Sequence, residues 1–200
     1  AKLHTVDRML GLLKADGLEP VHDMRLYLAE RDRQWLDTFK RDNGIGDAGY
    51  ACIAPTARWG CKCWPIERYG EIARRMIENG VAGDKLVIIA SPDEREKVLP
   101  IYEVLLGDGA ARDTSGGTFR GDLRERVVFP GTNVGQMMAL LSEPRVLICN
   151  DSAPLHIAVG FDRPVVALFG PTDPALVGPY RKPDSVLRPP DADKFKSSYR

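Results

Sequence analysis

The chain has 200 residues, 28 basic and 28 acidic side chains, and a pI near 7.0. A chain of this length buries roughly 70% of its unfolded surface, so it needs no disulfide or metal staple, and 44% hydrophobic with 28% charged residues excludes disorder. Zero net charge argues against a nucleic-acid partner, and no apolar run approaches the ~20 residues that span a bilayer.

The first helix is predicted over Thr5 to Lys14, where Val6, Met9, Leu10, Leu12 and Leu13 fall at helical spacing before Gly17. Met24 to Leu28 alternates enough for a short strand. Glu30 to Lys40 reads as an amphipathic helix with Trp35, Leu36 and Phe39 on one side. Tyr50 to Pro55 is a buried strand, followed by a polar loop to Trp64-Pro65. Ile66 to Asn79 is a helix, Leu86 to Ala90 a strand, and Glu94 to Leu106 another helix. Gly107 to Gly121, rich in Gly, Asp, Thr and Ser, reads as a mobile loop. Val127 to Phe129, Val146 to Cys149 and Pro164 to Phe169 are strands, separated by helices over Val134 to Ser142 and Pro154 to Val159. The tail after Gly170 shows little periodicity.

Strands apolar throughout, alternating with amphipathic helices, specify a parallel sheet covered on both faces. Right-handed crossovers make it a Rossmann-like, doubly wound α/β domain. Ligands of such sheets bind beyond the carboxyl ends of the strands. The loops after Ala54, Ala90, Phe129, Cys149 and Phe169 are therefore the places to search.

The four cysteines, Cys52, Cys61, Cys63 and Cys149, are irregularly spaced. With no secretory leader in view, they read as incidental thiols in a reducing, cytoplasmic compartment. Cys61-x-Cys63 lacks a second Cys or His pair, so no metal is expected. Gly44-Ile45-Gly46-Asp47-Ala48-Gly49 matches G-x-G-x-x-G, but these glycines follow a helix and precede a strand. The dinucleotide fingerprint requires the reverse order, so they read as a helix stop.

Asn150-Asp151-Ser152-Ala153-Pro154-Leu155-His156 ends a buried strand and opens a helix. Asp151 and Ser152 suit a cap and Pro154 the first turn. Such a start is either a plain capped helix or a phosphate site built on free N–H groups and the helix dipole. His156 alone reads as a packed histidine. Gly170-Pro171-Thr172-Asp173-Pro174 is a tight turn with polar groups above the sheet. Thr56, Arg58 and Lys62 follow the first long strand, the last two as cations suited to an anion. Glu94 is either a ribose acceptor or a first-turn Glu that favours the helix dipole.

Taken together, NDSAPLHIAVGFDRPVVALFGPTDPALVGPY (150–180) and KCWPIERYGEIA (62–73) resemble glycosyltransferase family 9, the ADP-heptose:lipopolysaccharide heptosyltransferases. That family's pattern is D-[ST]-G-x-x-H, then a strand, then F-G-P-T-D-P, with K-x-W-P earlier. His4-Thr5-Val6-Asp7-Arg8 is similar to the helix leading into its second half. The resemblance implies the C-terminal domain of a GT-B glycosyltransferase. Residues 1–45 would end the acceptor domain and link it to a donor domain at 46–200.

It implies an ADP-sugar donor whose diphosphate meets Lys62, Ser152, Ala153 and the helix N-terminus, with Asp151 on the sugar or ordering the loop. Glu94 would reach the ribose, Thr132 the base, and His156 would support the donor loop. Thr56, Arg58, Gly170, Thr172 and Asp173 would complete the donor site. Transfer would be inverting, without metal or cofactor. The acceptor would be a lipid-linked saccharide at the inner face of the cytoplasmic membrane, reached through peripheral contact. No general base is expected in this chain, since the family carries it in the other domain, so the chain alone should bind but not turn over. Ala153 departs from the family's Gly: either approach to the phosphate is less close, or the position needs no positive φ. A GT-B sugar-nucleotide epimerase and a non-catalytic nucleotide-sugar module are the alternatives.

Overall fold

A computed structural model describes residues 2–106, 123 and 125–192. Among the described residues six strands form one sheet: β1 Tyr50–Ala54, β2 Lys85–Ile88, β3 Val127–Val128, β4 Leu147–Asn150, β5 Val165–Leu168 and β6 Val186–Leu187. Their order is β3-β2-β1-β4-β5-β6, with every neighbouring pair parallel. Seven α-helices with defined bounds lie among the described residues, and residues 123, 125 and 126 are helical as well. The seven are α1 Thr5–Ala15, α2 Glu30–Asp42, α3 Ile66–Glu78, α4 Arg95–Leu106, α5 Val134–Leu141, α6 Ala153–Gly160 and α7 Pro174–Val177.

The pleat sends alternate residues of each central strand into different cores. Tyr50, Cys52 and Ala54 of β1 join Leu147 and Cys149 of β4 beneath α2, α5 and α6. Ala51 and Ile53 join Leu86 and Ile88 of β2 beneath α3 and α4. Both faces are covered, which is why these strands lack polar alternation. The doubly wound class is therefore the observed one.

Two local expectations change. Met24 to Leu28 forms no strand. Arg25 N–H makes a local bond to Asp23 Oδ1, and Leu26 N–H reaches across the fold, donating 3.0 Å to Gly160 O at the end of α6. A side chain at Gly160 would collide with Leu26, its Cβ falling 2.6 Å from Leu26 Cγ. The segment thus lies across a helix end and not beside a sheet edge. Conversely, the tail does contain a strand. β6 pairs Val186 with Ala167 and Leu187 with Leu168, and two residues are too few to show a period.

The glycines of the 44–49 run act as the sequence predicts. Gly44 and Gly49 sit at φ 63° and 65°, the first ending α2 and the second turning into β1. Leu36, Phe39 and Ile45 are buried in the same core as β1 and β4, so α2 packs on the sheet. α1 has no buried residue. The expected loop at 107–121 lies outside the described residues, as does the tail after 192.

Candidate functional site

Strand order reverses between β1 and β4. Their following loops therefore turn to opposite faces and leave a crevice at the carboxyl edge. A cavity of about 510 Å³ occupies that crevice. Its walls come from the loops after β1, β2 and β3 and from the first turns of α5 and α6. Nine sequence-predicted residues line it: Thr56, Arg58, Lys62, Glu94, Thr132, Asp151, Ser152, Ala153 and His156.

One cluster couples the β1 and β2 loops. Glu94 Oε2 accepts hydrogen bonds from Thr56 Oγ1 at 3.0 Å, Ser91 Oγ at 3.0 Å and Ser91 N–H at 3.2 Å. Partial burial alone would raise the Glu94 pKa, but the Ser91 and Thr56 hydrogen bonds outweigh it and hold the carboxyl below its ordinary range. Oε2 is thereby committed to bracing the two loops. Oε1 takes no part in that brace and lies 3.6 Å from Lys97 Nζ.

The second cluster is cationic. Lys62 Nζ stands 2.7 Å from Asp151 Oδ2, with the side chains 20% and 5% exposed. That oxygen is buried and gains no well-directed hydrogen bond among the described residues, so the ammonium is its electrostatic partner. Arg58, exposed, lies over the Trp59 ring at 5.7 Å from its centroid.

Next to this pair α6 begins. Ser152 makes no side-chain cap to the helix and instead turns its hydroxyl to Asn150 O at 3.3 Å. The expected Asp/Ser cap is therefore not formed, and the dipole end of α6 meets the cavity without it. Ala153 is the first helical residue, and its φ is not positive. The position thus needs no glycine for its backbone. His156, one turn further, keeps an open face to solvent. Crowding by protein lowers its pKa most, Asp151 opposes that, and His4 with Lys62 adds to the lowering.

The loop after β5 goes elsewhere. Gly170 lines a neighbouring cavity of about 380 Å³ that shares Lys62 with the first. A Cβ at Gly170 would stand 3.1 Å from Cys61 O, so the absent side chain lets this loop approach the Lys62 loop. Thr172 and Asp173 line neither cavity. Asp173 Oδ1 accepts from Ala175 N–H at 3.0 Å as the cap of α7, and its other oxygen pairs with Lys2.

Sequence reasoning missed Ser91, Met137 and the buried Asn150. For Asn150 the signal was present, as a lone polar residue closing an apolar strand. Cys52 and Cys149 are buried free thiols whose pKa burial pushes up. Among the described residues no group of three or more His, Cys, Asp or Glu side chains converges on a metal position, and no helix is long and apolar enough to cross a membrane.

The sequence profile of glycosyltransferase family 9 (heptosyltransferase) matches residues 1–198. Lipopolysaccharide heptosyltransferase 2 of Salmonella typhimurium is 28% identical over 139 residues, 68% of this chain and 35% of that protein. Lipooligosaccharide heptosyltransferase 2 of Haemophilus influenzae is 26% identical over 186 residues, 88% of this chain and 47% of that protein. The crystal structure of a family 9 glycosyl transferase from Veillonella parvula superposes with a TM-score of 0.73 at 23% identity, covering 98% of this chain and 52% of that one. The E. coli heptosyltransferase WaaC with ADP gives 0.59 at 18% identity, over 96% of this chain and 51% of the other. This chain thus spans between 35% and 47% of those two relatives and has the fold of about half of a GT-B heptosyltransferase. It belongs to glycosyltransferase family 9.

Proposed function

We propose, from membership in glycosyltransferase family 9, that this chain is the donor-binding half of an enzyme that moves a heptose-type sugar from an ADP-sugar to a lipopolysaccharide-like acceptor. The observation that carries this reading is the crevice between β1 and β4, where nine residues named from the loop positions and the family resemblance line one cavity. Its volume of about 510 Å³ suits a nucleotide-sized ligand. WaaC, a relative in fold, has been solved with ADP and with ADP-2-deoxy-2-fluoro heptose.

In this reading the diphosphate lies between Lys62 and the start of α6. Transfer breaks the bond between the sugar's anomeric carbon and the diphosphate oxygen, which leaves with the electron pair. The acceptor hydroxyl forms the new bond from the opposite face, inverting the carbon, and loses its proton to a base outside this chain. Lys62 and the α6 dipole stabilise the charge growing on the departing diphosphate, so we assign no metal or cofactor. Asp151 keeps the Lys62 ammonium at the cavity and Glu94 Oε1 takes the ribose. Thr132 sits toward the base, and Gly170, across Lys62, toward the sugar. We assign the link with an acceptor-binding half to residues 1–45, with α2 of that stretch packed on the donor sheet, and the donor domain to 46–200, working in the cytoplasm at the inner membrane face.

Thermal-shift measurements with ADP-, GDP- and UDP-sugars test the reading. A ligand at 100 times its Kd adds about 2.7 kcal/mol of stability. Selective stabilisation by ADP-sugars is expected. UDP selectivity would favour the epimerase alternative, and no shift with any of them would defeat the donor-site reading.

A further inference from the structure

Asn150 ends β4 after three apolar residues and is fully buried. An amide is costly in such a place unless its hydrogen bonds are replaced, and an apolar side chain would pack there without that cost. Here they are replaced. Nδ2 donates to Pro55 O at 2.7 Å, while Oδ1 accepts from Trp64 N–H at 3.0 Å and from the Tyr69 hydroxyl at 2.9 Å.

These partners have a pattern. The β1–β4 ladder stops at the pair Ala54 and Cys149. Pro55 is the next residue on one side, and Asn150 the next on the other. The Asn150 side chain therefore continues the join one step past the last backbone rung. Through Trp64 it also holds the far end of the loop that Pro55 opens, and through Tyr69 the first turn of α3. The following residue, Asp151, holds Lys62 within that loop. Two successive residues at the end of β4 thus fix the start, the cation and the end of a loop that grows from β1.

We propose that Asn150 is a positioning residue for the diphosphate end of the site. It pins the 55–64 loop at both ends and so sets where the Lys62 ammonium stands relative to α6. The role rests on reading the cavity as a nucleotide-sugar site. It requires a donor and an acceptor on one side chain. Aspartate keeps the acceptors but sets a carboxylate oxygen against Pro55 O, and leucine keeps neither.

The test uses the full chain with Asn150→Asp and Asn150→Leu, the first retained should the second fail to fold. Hydrogen exchange across 56–64 is compared with exchange in β2, and calorimetric affinities are taken for ADP and for adenosine. For Asn150→Asp we expect faster exchange in the loop with β2 unchanged. ADP affinity should fall about tenfold, while adenosine, which lacks the diphosphate, stays within about twofold. Unchanged loop exchange overturns the clamp. Faster exchange with unaltered ADP affinity, or equal losses for ADP and adenosine, overturns the positioning role. Failure of the unmodified chain to bind either ligand defeats the nucleotide reading, and the positioning role with it, while the exchange comparison still reports separately on the clamp.

Discussion

Two groups of loops leave the same edge of this sheet and meet different neighbours. Those after β1 and β4 face one another across the strand-order reversal. They are joined by Asn150 and by the Lys62–Asp151 pair. The loop after β5 turns instead toward the N-terminal segment. Lys2 pairs with Asp173, His4 Nε2 lies 3.1 Å from Gly178 O, and the Tyr180 hydroxyl binds Asp7 and contacts His22 Nδ1 at 2.9 Å. Position at the end of a parallel strand is therefore insufficient to bring a whole loop to the crevice: Gly170 lines the neighbouring cavity across Lys62, while Thr172 and Asp173 line neither. The crevice opens where successive loops diverge, and a loop one strand further out is free to serve as a brace.

The comparison is most open to attack at the cation. Lys62→Ala combined with Asp151→Asn should lower ADP affinity by about 10- to 100-fold, the worth of a charge-assisted hydrogen bond to phosphate. Calorimetry checks this, and an unchanged affinity would move the diphosphate away from this pair. The double variant is the cleaner one. Lys62→Ala alone leaves a carboxylate that is only 5% exposed without its partner, which should cost about 1–3 kcal/mol of stability in a denaturant titration.

The β5 loop should answer oppositely. Asp173→Ala removes the α7 cap and the contact with Lys2. A loss of about 1 kcal/mol in stability is expected, with ADP affinity held within about twofold. A large loss of ADP affinity would erase the distinction between the two groups of loops.

The smallest effect concerns His156. Its folded pKa lies below the ordinary value of 6.5, so the unfolded chain takes up the proton first as pH falls. Stability should decline as pH drops below about 6.5 and level off once the folded ring also protonates. His156→Gln should flatten that slope in denaturant titrations at successive pH values. The effect stays modest because the ring keeps a solvent face. An identical slope in the variant would place the titration elsewhere.

Most of the sheet was readable because burial on both faces writes long apolar runs, as at Tyr50–Ala54 and Leu147–Cys149. Residues 24–28 misled because alternation alone does not require a sheet neighbour: Met24, Leu26 and Tyr27 are exposed, and the segment meets the end of α6 with no strand beside it. The site was readable where it coincided with a helix start or a loop cation. Asn150 was marked only as a lone polar residue closing an apolar strand, and its role stayed hidden because its partners are distant along the chain: it reaches Pro55, 95 residues away. Ser91 was passed over although its partner Glu94 lies only three residues on. Glu94 was read either as a ribose acceptor or as a first-turn Glu, and neither reading included the three internal hydrogen bonds it accepts, one of them from Thr56 across 38 residues.

The outermost strands carry a consequence for pairing at the sheet's margins. β3 and β6 flank the sheet with two residues each, against four or five in the strands between them. A neighbouring molecule seeking to extend the sheet finds too few unpaired amides on either flank to hold a strand in register. Leu187, more than half exposed on β6, would otherwise invite that contact. Among the described residues, stunted margins leave a sheet with apolar faces little edge on which a further strand could register.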